Sequence, residues 1–306
     1  MLVLVAGATG NLGQYLVDSL HSRGHQVRAL GRTPSKLEPS RQEKLESFVQ
    51  SEAYHDVAAL DRACQGVDAV ICAYSGIPEL QLEGQLLLLR AAERAGVKKY
   101  VAHSWNMDWR DMKLGDHESY DPFISFRHHV EGSSDIKPNY IFSGILAEVL
   151  FSAPGHVSFS PTNNGCWDHE RKIMEVWGTG DEIWHWTSEH DAAKFTAAII
   201  ERDEAAEGGF WSVCSGANTL KEIAMTYGKV RDCEVDIQKK GDVNALRERA
   251  LEGRRQGSRK NFWTYIGWFY QLYTVDGTWT LRELDNEKLG VKGTSLGEFL
   301  RQNPGL

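Results

Sequence analysis

Short apolar runs alternate with amphipathic stretches through the first half of the chain. Leu2 to Ala6 is a continuous apolar run, and Leu12, Leu16 and Leu20 then recur at the spacing of a helix. Further strands are predicted at 25–30, 47–50, 67–74, 99–103 and 139–146, with helices at 56–66 and 81–95 among them. This repetition of strand and helix predicts an α/β fold built on a doubly wound parallel sheet.

A glycine-rich turn separates the first predicted strand from the first helix. Gly7 would permit the tight turn, Gly10 would let the backbone approach a pyrophosphate, and Gly13 would let the helix lie close to the strand. The helix N-terminus offers free N–H groups and the positive end of its dipole to an anion. The pattern predicts a dinucleotide site whose contacts are Gly7, Thr9, Gly10, Asn11, Leu12 and Gly13.

The end of the second predicted strand indicates which dinucleotide binds. In NAD-binding proteins this strand ends in Asp or Glu, which binds the ribose 2′-hydroxyl. Here Arg32 and Lys36 follow the strand, and no carboxylate lies between them. A carboxylate would repel a 2′-phosphate, whereas Arg32 can bind one in bidentate fashion and Lys36 can add a point charge. We therefore expect NADP(H) as the cofactor; a solvated basic loop is the alternative.

The composition limits the class of protein. With 42% hydrophobic and 25% charged residues among 306, it is that of an ordinary globular chain. A net charge of -8 argues against nucleic acid or an anionic membrane as partner, and no apolar run reaches the roughly 18 residues that span a bilayer. Because Met1 leads directly into the first strand, we expect no signal peptide and a cytoplasmic protein. The five cysteines and the scattered histidines lack metal-ligand spacing, so we expect free thiols and no metal site.

The second half of the chain is rich in aromatic residues. Residues 172–186 carry three tryptophans around a Gly-Thr-Gly-Asp turn, which predicts a hairpin. An amphipathic helix is predicted at 188–202 and a strand at 210–214, both expected to pack back onto the sheet. Aromatic side chains occupy most positions of 261–279. That stretch is either the wall of a pocket for a flat apolar substrate or the core of a small lobe.

Several segments resemble the NmrA-like, isoflavone-reductase-like family, whose members are atypical short-chain dehydrogenases/reductases. The resemblance lies in GATGNLG, in AGVKKYVAHSWNMD, in DEIWHWTSEHDAAKFTAAII, in SGANTLKEIA and in the closing TSLGEFLRQ. It implies a Rossmann-type NADP-binding domain at 1–150, with 187–215 packing back onto it. It also implies a smaller α+β substrate-binding lobe made of 151–186 and 216–306. The family includes reductases of phenolic and aromatic natural products of secondary metabolism, and proteins that bind the dinucleotide only as regulators.

The catalytic region departs from the patterns of these relatives. Ordinary short-chain dehydrogenases use Tyr-xxx-Lys, which is absent between Tyr100 and Tyr140. Isoflavone-reductase-like enzymes place a lysine at the start of the helix before the sixth strand, and the matching residue here is predicted to be Arg127. Arginine keeps its charge at any usable pH, so it could stabilise an oxyanion but could not donate a proton.

A proton donor is therefore expected elsewhere. His128 and His129 are adjacent, with side chains suited to acid–base chemistry near neutral pH. Because neighbours on a helix point about 100° apart, only one of them is expected to face the cofactor. Tyr120 and His117, in the polar loop before this helix, are further candidates. The alternative is that these side chains cap, pack or face solvent.

Further candidates lie where predicted strands end, because ligands bind at the carboxyl edge of a parallel sheet. Ala73 and Tyr74 end the fourth strand there. After the fifth strand, Ser104 could hydrogen-bond the nicotinamide ribose or a substrate carbonyl, and Trp105 and Asn106 could border the substrate. An ordinary strand end with a half-buried tryptophan is the alternative. Finally, Gly144, in the predicted sixth strand, permits either close approach of the cofactor or close packing.

Two functions are compatible with these features. The first is an NADPH-dependent reductase of a carbonyl or conjugated double bond in an aromatic or polyketide-like metabolite, acting as a monomer or homodimer. In it Arg127, His128, His129, Tyr120 and Ser104 would carry the catalysis. The second is a non-redox protein that keeps the dinucleotide site, either a redox-sensing regulator or an isomerase, dehydratase or cyclase. The missing lysine is the main argument for the second.

Overall fold

Strands and helices alternate along the computed structural model, which describes all 306 residues. Its strands are β1 Leu2–Ala6, β2 Gln26–Gly31, β3 Leu45–Gln50, β4 Ala69–Cys72, β5 Lys99–Val101, β6 Asn139–Phe142, β7 Ile145–Leu146, β8 Trp167–Asp168, β9 Ile173–Trp177, β10 Ile183–Thr187, β11 Gly209–Ser212, β12 Gly216–Thr219 and β13 Asp236–Gly241. Its α-helices are α1 Asn11–Ser22, α2 Pro39–Gln42, α3 Val57–Cys64, α4 Gln85–Arg94, α5 Asp121–Ser133, α6 Ala147–Leu150, α7 Glu189–Glu201, α8 Leu220–Arg231, α9 Val243–Gln256, α10 Ile266–Val275, α11 Asn286–Leu289 and α12 Leu296–Gln302.

The main sheet contains seven parallel strands in the order β3-β2-β1-β4-β5-β6-β11. The chain first builds outward from β1 to β3 and then crosses back to place β4 on the other side of β1. Such a reversal opens a crevice at the carboxyl ends of the central strands, where ligands bind in this architecture. The predicted doubly wound α/β fold is confirmed.

Side chains alternate between the two faces of this sheet. Val3 and Val5 of β1 point into a core shared with α1 and α7, whereas Leu4 and Ala6 point into a larger core shared with α3, α4 and α5. Because both faces are covered by helices, the central strands are apolar throughout, as the sequence shows. The larger core continues into the C-terminal part of the chain without interruption.

Two small sheets make up most of the second half's strand structure. One has the order β12-β10-β7 and the other β13-β9-β8. The hairpin predicted at 172–186 is therefore wrong, because β9 and β10 belong to different sheets. Between them the carboxylate of Glu182 accepts hydrogen bonds from the N–H groups of Thr179 and Gly180, each 2.8 Å long. These bonds hold an open turn, after which β10 pairs with β7 and β12 instead of β9.

The predicted sixth strand is divided. β6 ends at Phe142, and Gly144 then adopts a φ of +66° before β7 joins a small sheet. A Cβ at Gly144 would overlap the carbonyl oxygen of His185 in β10, so only glycine fits this crossing point. The chain thus leaves the main sheet at its carboxyl edge, which places the second half beside the crevice.

The segment after β10 returns to the first half. α7 packs against α1, and β11 adds the outermost strand beside β6. The boundaries of the two domains stay a prediction. All five cysteines are free, and none of the helices is both long enough and apolar enough to cross a membrane.

Candidate functional site

The glycine-rich turn has the geometry that a phosphate-binding loop requires. Gly7 has a φ of +85°, and a Cβ there would lie 2.6 Å from the carbonyl oxygen of Ala73 in the adjoining turn. A Cβ at Gly13 would overlap the carbonyl oxygen of Gly7, so α1 lies tightly against the turn. Gly10 is the exposed N-cap of α1. The first-turn N–H groups of that helix have no intrahelical acceptors and remain available to an anion.

Two unpaired cations lie beside this turn. The exposed side chains of Arg32 and Lys36 form no hydrogen bond or ion pair, although the backbone carbonyl of Arg32 accepts from the Gln50 side chain. The residue before Arg32, Gly31, lies close to the side chain of Thr9. Unpaired cations at the end of β2 suit a 2′-phosphate, and together with the glycine-rich turn they fit NADP(H).

Other predicted cofactor contacts are placed along the same edge. Ala73 adjoins Gly7 through its carbonyl group. Tyr74 is 9% exposed and packs in the larger core, where burial raises its pKa far above the usual range. Asn11 donates from Nδ2 to the carbonyl oxygen of Gly155 at 3.1 Å, and Leu12 packs into the core around α1. Asn11 thereby joins the glycine-rich turn to the loop that follows α6.

A cavity of about 360 Å³ lies beyond the carboxyl ends of β5 and β6. Six separate parts of the chain line it, and 13 of its 22 lining residues are hydrophobic. None of the lining residues is Asp, Glu, Lys or Arg; the titratable ones are His103, Tyr120 and Tyr270. Such a cavity suits an uncharged, largely apolar ligand. No cluster of histidine, cysteine and carboxylate side chains is arranged to hold a metal ion.

Ser104, Trp105 and Asn106, shortly after β5, line this cavity, but two of their side chains have structural partners. The Ser104 hydroxyl donates to Ala102 O at 3.0 Å and accepts from the Ile141 N–H at 2.7 Å, so it joins β5 to β6. The Trp105 indole N–H donates to Thr196 Oγ1 at 2.8 Å. In contrast, Oδ1 of Asn106 is buried without any hydrogen-bond partner. Asn106 is thus the member of this group with unused hydrogen-bonding capacity.

Tyr120 reaches the cavity from the turn just before α5. It is fully buried, and its hydroxyl oxygen accepts a hydrogen bond from the Met107 N–H at 3.2 Å. Burial raises its pKa well above the usual tyrosine range, so the phenol stays protonated.

His103 also faces the cavity and was missed as a candidate, although it directly precedes Ser104. It stacks on Phe123 with the ring centroids 5.1 Å apart, and its Nδ1 has no partner. Burial lowers its pKa to about 4, so the ring is neutral at physiological pH. The signal that could have identified it is its position at the end of a predicted central strand.

Arg127, His128 and His129 lie outside the cavity, contrary to the roles predicted for them. α5 meets the cavity through Phe123 in its first turn, and Arg127 lies a further turn along the helix. There its guanidinium donates to Glu131 at 2.7 Å and lies over the Phe210 ring. His128 and His129 are exposed on the outer face of α5. The structure thus does not bring these three residues to the cavity, and their catalytic roles stay a prediction.

The aromatic stretch 261–279 divides between the two roles considered for it. Its cavity-lining members are Phe262, Trp263, Ile266, Gly267 and Tyr270. Most of the others, such as Tyr265, Phe269 and Leu272, are buried in a small core against α9. α10 therefore closes the cavity with one face and completes the lobe with the other. Gly144 also lines the cavity, but its contact with β10 already explains why glycine is needed there.

Comparisons with known proteins agree with this architecture. A model of the NmrA-like family matches residues 1–251. Bifunctional pinoresinol-lariciresinol reductase 1 of Linum usitatissimum is 28% identical over 307 residues, covering 96% of this chain and 93% of that protein. The solved structure of AtPrR2 with NADP+ and (+)pinoresinol has a TM-score of 0.77 at 21% identity, covering 98% of this chain and 97% of that one.

A second structural likeness comes from Escherichia coli. The NADPH-dependent quinone oxidoreductase QOR2 complexed with NADPH has a TM-score of 0.72 at 21% identity, covering 98% of this chain and 99% of that one. At these identities the two structures establish a shared fold. The family model spans most of the chain, and the family resemblance seen in the sequence is thereby confirmed. The chain belongs to the NmrA-like family.

Proposed function

We propose that this protein is an NADPH-dependent oxidoreductase that reduces a carbonyl or conjugated double bond of an aromatic or polyketide-like small metabolite. One observation carries the proposal: a phosphate-binding turn with two unpaired cations and an uncharged aromatic cavity lie at the same edge of one sheet. The relatives named above include a pinoresinol-lariciresinol reductase, and a structural neighbour is solved with NADP+ and pinoresinol. Both support this class of cofactor and substrate.

The chain's own residues would hold the dinucleotide from end to end. The turn from Gly7 to Gly13 receives the pyrophosphate, and Arg32 and Lys36 bind the 2′-phosphate. Ala73 and Ser104, which lies shortly after β5, then border the path toward the cavity. When bound, NADPH supplies a hydride to the substrate. The protein contributes placement and the apolar walls of the cavity.

The cavity sets the class of substrate. Its walls include Phe159, Phe262 and Trp263, and Trp263 remains 50% exposed at the surface. A flat ring can stack between such side chains, while Asn106 offers the unpaired amide oxygen Oδ1 to a substrate hydroxyl. A charged substrate would lose its hydration without gaining an ion pair.

Cofactor binding by wild type and by Arg32→Ala tests the phosphate end. We expect the variant to lose about 10- to 100-fold in NADPH affinity, because a charge-assisted bidentate contact is removed. Its NADH affinity should stay within about twofold of wild type, since NADH has no 2′-phosphate. Calorimetry measures both constants. Arg62→Ala, which removes another exposed arginine without a hydrogen-bond partner, is the matched control.

Oxidation of NADPH, followed by absorbance with a panel of quinones, enones and aryl ketones, tests the chemistry. Consumption with any of these supports the reductase. Tight binding without consumption would contradict the redox activity but leave the cofactor assignment standing. Equal affinity of wild type and Arg32→Ala for NADPH would contradict the assignment of Arg32.

A second function is favoured by a specific observation. No cation lines the cavity, and the residue of α5 that faces it is Phe123. The cavity thus lacks a counterpart of the lysine found in isoflavone-reductase-like enzymes. A regulator that senses the redox state of NADP(H), or an isomerase, dehydratase or cyclase, would not need such a cation. A sensor should bind the oxidised and reduced cofactor with affinities that differ at least about tenfold. We expect either protein to act in the cytoplasm, as a monomer or homodimer, without nucleic acid.

A further inference from the structure

A hydrogen-bonded series of three side chains runs from the cavity wall into the protein. The hydroxyl groups of Tyr270 and Ser119 are 3.1 Å apart, and Ser119 Oγ is 2.9 Å from His117 Nδ1. Tyr270 comes from α10, whereas Ser119 and His117 come from the turn before α5. These hydrogen bonds therefore join the C-terminal lobe to the Rossmann half at the cavity.

His117 forms the inner end of this hydrogen-bonded series. It is fully buried among aromatic rings, with Tyr270 and Trp279 at centroid distances of 4.6 and 5.1 Å. Its Nε2 has no hydrogen-bond partner, so Ser119 is the one group to which the ring is hydrogen-bonded. Burial keeps the pKa of His117 well below its usual value, and the ring is neutral. A neutral imidazole can donate from Nδ1 to Ser119, which then donates to Tyr270.

Tyr270 differs from the other titratable groups of the cavity. It is partly accessible, whereas Tyr120 is fully buried and already accepts a hydrogen bond from the Met107 N–H. His103 is partly accessible too, but its Nδ1 has no partner and its Nε2 has only the Gln81 amide nitrogen, at 3.5 Å. Among the three, Tyr270 combines partial accessibility with a side-chain hydroxyl, that of Ser119, within hydrogen-bond distance of its oxygen.

We propose that Tyr270 is the proton donor of the reduction, and that Ser119 and His117 are positioning residues that stabilise its phenolate. This inference rests on the proposed function. Reduction leaves negative charge on the substrate oxygen, as alkoxide or enolate. The O–H bond of Tyr270 then breaks, its proton forms the new O–H bond of the product, and the electron pair stays on the phenolate oxygen.

Ser119 lowers the cost of this step. Its hydroxyl donates to the phenolate as charge develops, and a hydrogen bond to the charged form favours that form. The phenolate regains its proton from water at the mouth of the cavity, where Val157 and Trp263 are exposed. No proton needs to pass through His117, which holds the Ser119 hydroxyl in the donating orientation.

Tyr270→Phe and Tyr273→Phe form a matched pair for the test. Tyr273 lies three residues further along α10 and donates to the Asp116 carbonyl oxygen at 2.9 Å, outside the cavity. In Tyr270→Phe we expect kcat to fall by about 10²- to 10⁴-fold, the range of general acid catalysis. Calorimetric affinity for NADPH should be unchanged. Tyr273→Phe should keep kcat within about threefold of wild type.

Variants of Ser119 test the positioning role. Ser119→Ala should lower kcat about tenfold, because one hydrogen bond to a charged group is lost. It should also move the alkaline limb of the kcat–pH profile to higher pH, because the phenolate loses its donor and the pKa of Tyr270 rises. A merely structural role would not move that limb. Ser119→Thr keeps the hydroxyl and should restore most of the rate.

The outcomes separate this inference from the proposed function. No NADPH consumption by the wild type would overturn both. An active wild type with a fully active Tyr270→Phe would overturn only the role of Tyr270. Full activity in Tyr270→Phe beside a large loss in Tyr120→Phe would transfer that role to Tyr120. A loss of NADPH affinity in Tyr270→Phe matching its loss of kcat would mean that the side chain only supports the fold.

Discussion

The two ends of the site are built in different ways. The phosphate end comes from the first 36 residues and depends mainly on backbone: N–H groups at the start of α1 and glycines that let β1, α1 and the Ala73 turn approach each other. The cavity end comes from distant parts of the chain and depends on side chains. The first end could be identified in the sequence because each contact is local. The second could be identified only in part, through residues at strand ends such as Ser104, Trp105 and Asn106, because most of its members meet only in the folded chain.

The charge of the two ends differs as well. Arg32 and Lys36 are exposed cations without an anionic partner, whereas no Asp, Glu, Lys or Arg side chain lines the cavity. This division matches a cofactor held by its phosphates and a substrate held by its rings. Three predictions test the division, beginning with the largest expected effect.

Gly13→Ala should disable the phosphate end. The new Cβ would overlap the Gly7 carbonyl oxygen and lie 2.9 Å from the Ala8 backbone, so α1 must move away from the turn. We expect a loss of about 1–3 kcal/mol in the free energy of unfolding, typical of overpacking, measured by urea denaturation. NADPH affinity should fall at least about 100-fold, because the first-turn N–H groups are displaced.

Gly132→Ala on α5 is the control for this substitution. A Cβ at Gly132 meets no atom within 4 Å, so alanine should be neutral or should stabilise the helix by up to about 1 kcal/mol. Unchanged NADPH binding by Gly13→Ala would show that the phosphate end does not depend on the backbone geometry described above.

Glu148 lies between the two ends of the site, and Glu148→Gln should change how the stability of the protein depends on pH. Glu148, on α6, accepts two hydrogen bonds of 3.1 Å from the Glu189 N–H, and burial beside Glu189 raises its pKa to about 7. The unfolded chain releases this proton near pH 4.5 while the folded chain keeps it to about pH 7. The folded state therefore loses stability as pH rises through that window.

The variant removes this titration. We expect its free energy of unfolding to exceed that of wild type by about 1–3 kcal/mol at pH 8 and to approach it at pH 4.5, measured by urea denaturation. The pKa of His156 is raised mainly by Glu189 and in smaller part by Glu148, so its deprotonation also weakens the wild type as pH rises, and it does so less in the variant. Glu43→Gln, at an exposed position, should leave the profile unchanged. A parallel profile in Glu148→Gln and wild type would contradict the assignment.

The smallest effects are expected on the outer face of α5. Arg127→Ala, His128→Ala and His129→Ala should each keep kcat and KM within about twofold of wild type, because none of these side chains lines the cavity. Arg127→Ala also removes the ion pair with Glu131 and should cost at most about 0.5 kcal/mol of stability. A fall of kcat by tenfold or more in any of the three would restore these residues to the site.

α5 illustrates why part of the cavity end could not be predicted from the sequence. Its sequence offers an arginine and two histidines, the residue types that suggest chemistry, yet the helix meets the cavity with Phe123 in its first turn. Which turn faces a pocket depends on how far the helix extends past the sheet edge, and no local pattern encodes that distance. The aromatic stretch near the C-terminus shows the same limit, because Tyr270 and Tyr273 differ in role through the direction of each side chain alone.

The prediction of a hairpin between β9 and β10 was wrong for a related reason. A Gly-Thr-Gly-Asp turn between two apolar runs favours a hairpin locally, but the strands' partners are β13 and β8 for one and β12 and β7 for the other. Strand pairing depends on long-range contacts that a local pattern does not contain.

The sequence by itself determined the parallel sheet, the phosphate-binding turn and the cations that follow β2. Each is specified by neighbours in the chain: apolar runs of strand length, glycines three residues apart, and a basic residue at a strand end. Only the tertiary structure decided the cavity, the exclusion of Arg127, His128 and His129 from it, and the contact of Tyr270 with Ser119 and His117. The physical reason is distance along the chain: Ser119 and Tyr270 are 151 residues apart, and packing alone brings their hydroxyl groups within hydrogen-bonding range.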